Sequence, residues 1–352
     1  MRCFYSQSLN DIESNCVSLN VADVHARQLF RHAYRDLSDA PWFGQGLPKK
    51  LTQKMSGSFV TDSVAVDQFF ESEYDASVKF SLKLNDDSLV EMVIIPEKAR
   101  ITLCVSTQVG CRQGCVFCHT GRMGLIRNLT AGEIVGQVVT AQKWLSTNEN
   151  WYERSSKNPG ALISNVVFMG MGEPLDNVDA LIKSIEIMTD PMGLAIAQKK
   201  LSVSTSGHID GLEKLLARFP RVPVAISLHE TDDTRRSKIM PINRRWPLAE
   251  LIEMIRKINI LNPRGSVLIQ YTLISGVNDS LQQASALADL LEGLRVKVNL
   301  IPLNEIEPSR FQRPDEDGVA LFRDYLHSRG YRVMVRYSKG LDIVAACGQL
   351  IS

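Results

Sequence analysis

A chain of 352 residues, 44% of them hydrophobic, is long enough to bury one large core and a smaller accessory domain. Its 40 lysines and arginines stand against 39 acidic residues, and the net charge of +1 excludes the bulk basicity of a strongly cationic nucleic-acid binder while leaving local patches open. No apolar run approaches the roughly 20 residues a membrane helix requires, Met1 to Cys16 holds no apolar leader segment, and seven cysteines without disulfide-scaffold spacing point to a reducing cytoplasm.

Residues 1–74 are expected to form a helical accessory domain. Between 20 and 57, Ala22, Ala26, Leu29, Phe30 and Ala33 share one helical face. Arg27, Arg31 and Arg35 repeat beside it, joined by Lys49, Lys50 and Lys54, as a solvated face or as phosphate contacts. Residues 75–97 read as a β-hairpin, because 77–84 and 89–96 alternate apolar with other residues around Asn85–Ser88. Glu91 lies in its second strand as an exposed edge carboxylate or, between Leu89 and Val93, as a proton acceptor.

Residues 98–340 alternate strands with amphipathic helices. Strands are expected near 101–105, 164–169, 200–205, 222–228, 266–273 and 297–302, and helices near 131–146, 177–188, 209–218, 247–260, 279–293 and 315–328. Thr130 with Glu133 makes a capping box, and Leu281, Ala284, Ala288 and Leu291 form a helical stripe. Residues 146–160 read as a polar loop. The class is α/β, and about six parallel strands imply an incomplete (β/α)6 barrel, whose chemistry gathers at the C-terminal strand ends. Residues 341–352 form a C-terminal segment.

Cys111, Cys115 and Cys118, in Cys-x3-Cys-x2-Cys spacing, follow the first barrel strand. Their spacing also suits one face of a buried helix, but Gly110 and Gly114 each cost a helix about 1 kcal/mol and favour a loop folded around an object. Three thiolates suit a 4Fe-4S cluster with one iron left open. The competing reading is a structural zinc site completed by His119, in an RNA-binding protein without catalysis. At later strand ends stand Gly172 with Glu173, then Ser204, Ser227 with Leu228 and His229, and Asn304; each alone is a turn residue, and together they outline a ligand site. Arg235, Arg236, Lys238, Arg244 and Arg245 gather just beyond His229 as phosphate contacts or as a solvated basic loop.

The cysteine loop, Met169–Pro174, the VSTSG run at 203–207, Ser227-Leu228-His229 and the run around Cys347 together resemble the RlmN/Cfr family of radical S-adenosylmethionine (SAM) RNA adenosine methyltransferases over nearly the whole chain. The radical SAM barrel is thereby the expected fold. The resemblance implies that Cys111, Cys115 and Cys118 ligate three irons and that SAM chelates the fourth, with Gly172, Glu173, Ser204, Ser227, Leu228, His229 and Asn304 around it. It implies that one SAM methylates Cys347 and that a second yields a radical that removes hydrogen from the S-methyl group. The resulting methylene radical adds to adenine, Glu91 accepts a proton, and Cys104 forms a disulfide with Cys347 to release the product. Cys3 and Cys16 have no counterpart.

The partners implied are large-subunit ribosomal RNA and, in some members, transfer RNA, together with an electron donor such as flavodoxin or ferredoxin; a monomer away from membranes is expected. Members methylate adenine at C2 or at C8, and Glu173-Pro174 favours C2. The chain departs from the usual pattern at His119-Thr120-Gly121 and at 304–315, stretches expected to border the RNA.

Overall fold

The computed structural model describes residues 1–97, 100–155, 157, 161–306 and 310–350. In the N-terminal region a short strand β1 (Arg2–Cys3) leads into α1 (Leu9–Ser18), α2 (Val24–Tyr34) and α3 (Lys49–Ser58), and β2 (Phe59–Val60) returns parallel to β1. Helix α1 was not legible as apolar periodicity; it starts where the Ser8 hydroxyl accepts from Asp11 N and the Asp11 carboxylate accepts from Ser8 N. The region read as helical over 20–57 holds two helices, since Pro41 and Pro48 cannot continue an interior turn. Ala26, Leu29, Phe30 and Ala33 of α2 are buried as expected, whereas Ala22 is exposed. Lys183 reaches Asp11 at 2.5 Å, and Arg35 donates to the carbonyls of Pro191 and Gly193, so these helices are tied to the rest of the chain.

Strands β3 (Val64–Glu71), β4 (Val78–Leu84) and β5 (Leu89–Glu97) form an antiparallel meander, one strand more than the expected hairpin. A register shift between Val66 and Gln68 breaks the alternation of β3, which hid that strand from a period-two reading. β5 pairs antiparallel with β6 (Arg100–Cys104), and there the sheet turns parallel.

After β6 come the small antiparallel pair β7 (Gln108–Cys111) and β8 (Gly124–Asn128), with α4 (His119–Met123) between them, and then α5 (Ala131–Thr147) and α6 (Glu149–Arg154). Alternation then runs through β9 (Asn165–Phe168), α7 (Val178–Thr189), β10 (Leu201–Thr205), α8 (Ile209–Arg218), β11 (Val224–Ser227), α9 (Asp233–Ile239), α10 (Leu248–Leu261), β12 (Val267–Leu273), α11 (Leu281–Leu290), β13 (Val296–Pro302), α12 (Glu316–Ser328) and β14 (Val333–Val335). The order β6-β9-β10-β11-β12-β13-β14 follows the chain and every pair is parallel, the singly wound wall of an incomplete β/α barrel. The short β14 extends the expected six.

The capping box of Thr130 and Glu133 starts α5 as expected. The polar 146–160 stretch is largely helical where it is described: α6 buries Trp151 and Tyr152, and Trp151 Nε1 donates to Ala76 O at 2.9 Å. Residues 156 and 158–160 of that stretch lie outside the described residues, as do 307–309 of the 304–315 stretch. No helix among the described residues is long and apolar enough to cross a membrane.

Candidate functional site

A cavity opens at the C-terminal ends of the barrel strands. One wall is the cysteine loop, which leaves β7 at Cys111 and enters α4 directly after Cys118. Gly110 at the end of β7 has φ +73°, and a Cβ there would lie 1.9 Å from the Gly124 carbonyl, so the approach of β7 to β8 demands glycine. The loop expected from the glycines is thus the observed form. Cys111, Cys115 and Cys118 all line the cavity.

Burial pushes the Cys111 thiol up to about 12 and the Cys115 thiol well above its ordinary value. It raises Cys118 too, against donors at Gly121 and Thr120. Thiols in such a place ionise only beside strong positive charge, which iron supplies. The donor set therefore fits a cluster. Among the described residues no group of three His, Cys, Asp or Glu converges on a single metal ion, whereas a cubane gives each thiolate its own iron.

The opposite wall comes from β9 to β13. Gly172, Glu173, Ser204, Ser227, His229 and Asn304 all line the cavity. Leu228 does not: its side chain is buried in the core, its N–H donates to Gln270 O at 3.0 Å and its carbonyl accepts from Arg236 Nε at 2.9 Å. Gly172 has φ +101°, with Gln108 packed where its Cβ would stand. The Glu173 carboxylate accepts from Ser206 N (2.8 Å), Ser206 Oγ (2.7 Å) and Leu175 N (3.1 Å), yet burial still raises its pKa.

His229 occupies the left-handed region at φ 58°, held there by Asn278 Nδ2, which donates to its carbonyl at 2.7 Å. Its Nδ1 accepts from Thr272 N at 2.8 Å, which puts the proton of the neutral ring on Nε2. Burial and then Arg236 lower its pKa to about 3.

Cys347 lines this cavity and also a smaller one, which it shares with Cys104. Both cysteines are free. Burial pushes the Cys104 thiol up to about 12, with Cys347 adding to the rise and Arg336 opposing it. The segment around Cys347 is tied down at several points. His119 N donates to Gly348 O (2.7 Å), Thr120 Oγ1 to Leu350 O (2.8 Å), Asn304 Nδ2 to Cys347 O (3.0 Å) and Lys79 Nζ to Val344 O (3.2 Å).

Glu91 is 4% exposed, which overturns the exposed-edge reading: β4 covers one side of β5 and β6 the other, and Lys79 Nζ stands 3.3 Å from its Oε1. Val93 pairs with Cys104, so Glu91, two residues earlier, shares the face of the sheet that carries Cys104. Glu91 lines neither cavity.

Of the basic segment, Arg236 is a correction. It is fully buried and donates to the carbonyls of Leu228, Ser206 and Ser227 and to Asn243 Oδ1. A guanidinium has enough fixed donors to tie three chain segments together, which the charge pattern alone did not reveal. Arg235 pairs with Glu230 at 3.0 Å, Arg245 pairs with Asp210 at 2.9 Å and lies over the Trp246 ring, and Lys238 and Arg244 are exposed. Gln270 was missed altogether. It lines the cavity and accepts from both Ser204 Oγ and Ser227 Oγ, and its one signal in sequence was a polar residue inside the apolar strand β12.

An incomplete parallel barrel whose first strand leads into three cavity-lining cysteines, opposite polar groups at the later strand ends, defines a radical SAM protein. Residues 105–288 match the Radical SAM superfamily. The dual-specificity RNA methyltransferase RlmN of Campylobacter fetus is 39% identical, over 92% of each chain. That of Syntrophobacter fumaroxidans is 36% identical, over 99% of this chain and 98% of its own. The crystal structure of a radical SAM methyltransferase from Sphaerobacter thermophilus superposes with a TM-score of 0.90 at 38% identity, covering 99% of both chains. The chain belongs to the RlmN family of radical SAM methyltransferases, whose cofactors are a 4Fe-4S cluster and SAM.

Proposed function

We propose that the chain methylates C2 of an adenosine in large-subunit ribosomal RNA and in transfer RNA, with Cys347 as the methyl carrier. The observation that carries this reading is the position of Cys347, on the walls of both the cavity lined by Cys111, Cys115 and Cys118 and the smaller cavity holding Cys104. Held by the three loop cysteines, the cluster together with SAM supplies the methyl group and one-electron chemistry when bound.

The protein's own groups do the rest. Gly172, Glu173, Ser204, Ser227, His229 and Asn304 position the cofactor, with the buried Glu173 carboxylate suited to its ammonium group. Leu228 contributes through its backbone. Cys347, reaching the main cavity, takes the methyl group on sulfur and carries it to the base. Glu91 accepts the proton lost from the adenine carbon once its pairing with Lys79 loosens, and the unpaired electron left on the base would return to the cluster that Cys111, Cys115 and Cys118 hold. Cys104 then bonds to the sulfur of Cys347 as the bond from that sulfur to the transferred carbon breaks and a proton goes to the carbon. Arg336, which lines the smaller cavity, opposes the rise that burial imposes on Cys104 and so favours the thiolate this step requires.

Residues 1–74 are assigned to RNA binding, with Arg31, Lys49, Lys50 and Lys54 exposed on their helices. In this reading the strands at 75–97, the barrel at 98–340 and the segment at 341–352 work as a monomer in the cytoplasm, reduced by flavodoxin or ferredoxin. The RlmN names of the relatives support the C2 assignment. It is tested by incubating anaerobically reconstituted protein with labelled SAM, a reductant and large-subunit ribosomal RNA or transfer RNA, then analysing the nucleosides by mass spectrometry. 2-Methyladenosine is expected; 8-methyladenosine would move the chain to the C8 branch, and a colourless zinc protein would end the catalytic reading.

A further inference from the structure

Gln270 sits on β12, 6% exposed, and the register sets it directly beside Ser227 of β11. Ser204 Oγ donates to Gln270 Oε1 at 3.0 Å and Ser227 Oγ donates to the same oxygen at 3.3 Å. On its other side, Gln270 Nε2 donates to Met169 Sδ at 3.7 Å. A thioether has no proton to give, so the amide nitrogen belongs on the methionine side and the amide oxygen on the serine side. Each hydroxyl has one proton and two lone pairs. With both protons committed to Gln270, the two serines keep only lone pairs to offer the cavity they line.

We propose that Gln270 is the positioning residue that sets the hydrogen-bond polarity of this wall, so that Ser204 and Ser227 accept from a vicinal diol, the ribose of SAM. The inference rests on reading the cavity as a SAM site. Two neutral acceptors sharing one anchor form a small patch, and a diol presents two neutral donors on adjacent atoms. A carboxylate offers only acceptors and is repelled there, and an adenine edge offers a donor beside an acceptor and satisfies half the patch. The ammonium group is better matched by the carboxylate of Glu173, which lines the same cavity.

Anaerobic titration calorimetry of the cluster-loaded protein with S-adenosylhomocysteine and its 2'-deoxy and 3'-deoxy analogues tests this. The unaltered protein should bind each deoxy analogue about tenfold more weakly than the parent. In Gln270→Met the serine protons are released, and the parent should weaken to the level of the deoxy analogues, within about twofold. Gln270→Glu keeps an oxygen facing the serines and should keep the preference for the diol, which a loss of packing alone would not explain. A Gln270→Met protein that still prefers the parent tenfold overturns the proposal. So does an unaltered protein that binds all three ligands equally. If Gln270→Met loses its iron, Gln270→Glu decides: full binding without preference overturns it. An unaltered protein that binds none of the ligands contradicts the SAM site itself and not the role of Gln270 within it.

Discussion

Cys104 and Cys347 stand on the wall of one small cavity, while their nearest relatives in chemistry, the loop cysteines, share only Cys347's other side. That division gives the two residues separable phenotypes. With Cys347 as the proposed carrier, Cys104→Ala keeps that residue and the main cavity, so RNA that has become bonded to Cys347 should stay there; a labelled RNA migrating with the protein on a denaturing gel is the expected result, and free methylated RNA at the normal rate would remove Cys104 from the mechanism. In sequence, Cys104 was a single cysteine within an expected strand, and nothing in its spacing placed it beside Cys347. The resemblance to a family supplied that pairing.

His229 gives a pH signature. Its pKa is lowered to about 3 in the fold, against an ordinary value near 6.5. Between those values the unfolded chain binds a proton that the native ring refuses, so stability from this group is full above about pH 6.5 and falls as pH drops, by about 1.4 kcal/mol per pH unit. Urea unfolding of the protein at pH 5 and pH 7 should show a larger difference than in His229→Gln; equal differences would show that the ring is not held neutral by burial. The sequence marked His229 by its place after a strand, but its neutral state depends on burial and on Arg236, and its tautomer on Thr272, none of which a local pattern connects to it.

At the scale of elements, periodicity located the parallel strands β6 and β9 to β13 and their main helices, because a buried strand or an amphipathic helix writes its neighbours into its own sequence. It failed where the pattern is short or interrupted. β14 has three residues, β3 carries a register shift, and α6 hides two buried aromatics in a polar stretch. The basic segment is the sharpest case. Arg236, on α9, joins the ends of β10 and β11 through carbonyls of Ser206, Ser227 and Leu228, with Asn243 as its fourth acceptor. Burial lowers its pKa to about 10, which leaves it charged at neutral pH. Arg236→Met should therefore destabilise the fold by roughly 3 kcal/mol or more, because four acceptors grouped around it each lose a charged donor. The shift in urea midpoint measures it. A midpoint unchanged from that of the unaltered protein would return Arg236 to the surface role that its charge suggested.

Across the whole molecule, one continuous sheet of ten strands joins the antiparallel meander to the barrel, and this continuity relates Glu91, Cys104 and the cavity mouth through backbone register. The N-terminal helices are tied to the barrel side by Lys183 and Arg35, so the row of arginines read as one face is divided: Arg35 and Arg27 have partners, and Arg31 is exposed. A net charge of +1 gave no hint of where RNA would lie. The C-terminal segment is the part on which the functional reading turns, since its ties to Thr120, Asn304 and Lys79 hold Cys347 between the two cavities. The decisive measurement is the mass of the Cys347 peptide from protein made and purified anaerobically in a SAM-replete host. A methyl increment on Cys347 is the expected result; an unmodified thiol in protein that carries both cluster and SAM would contradict the account.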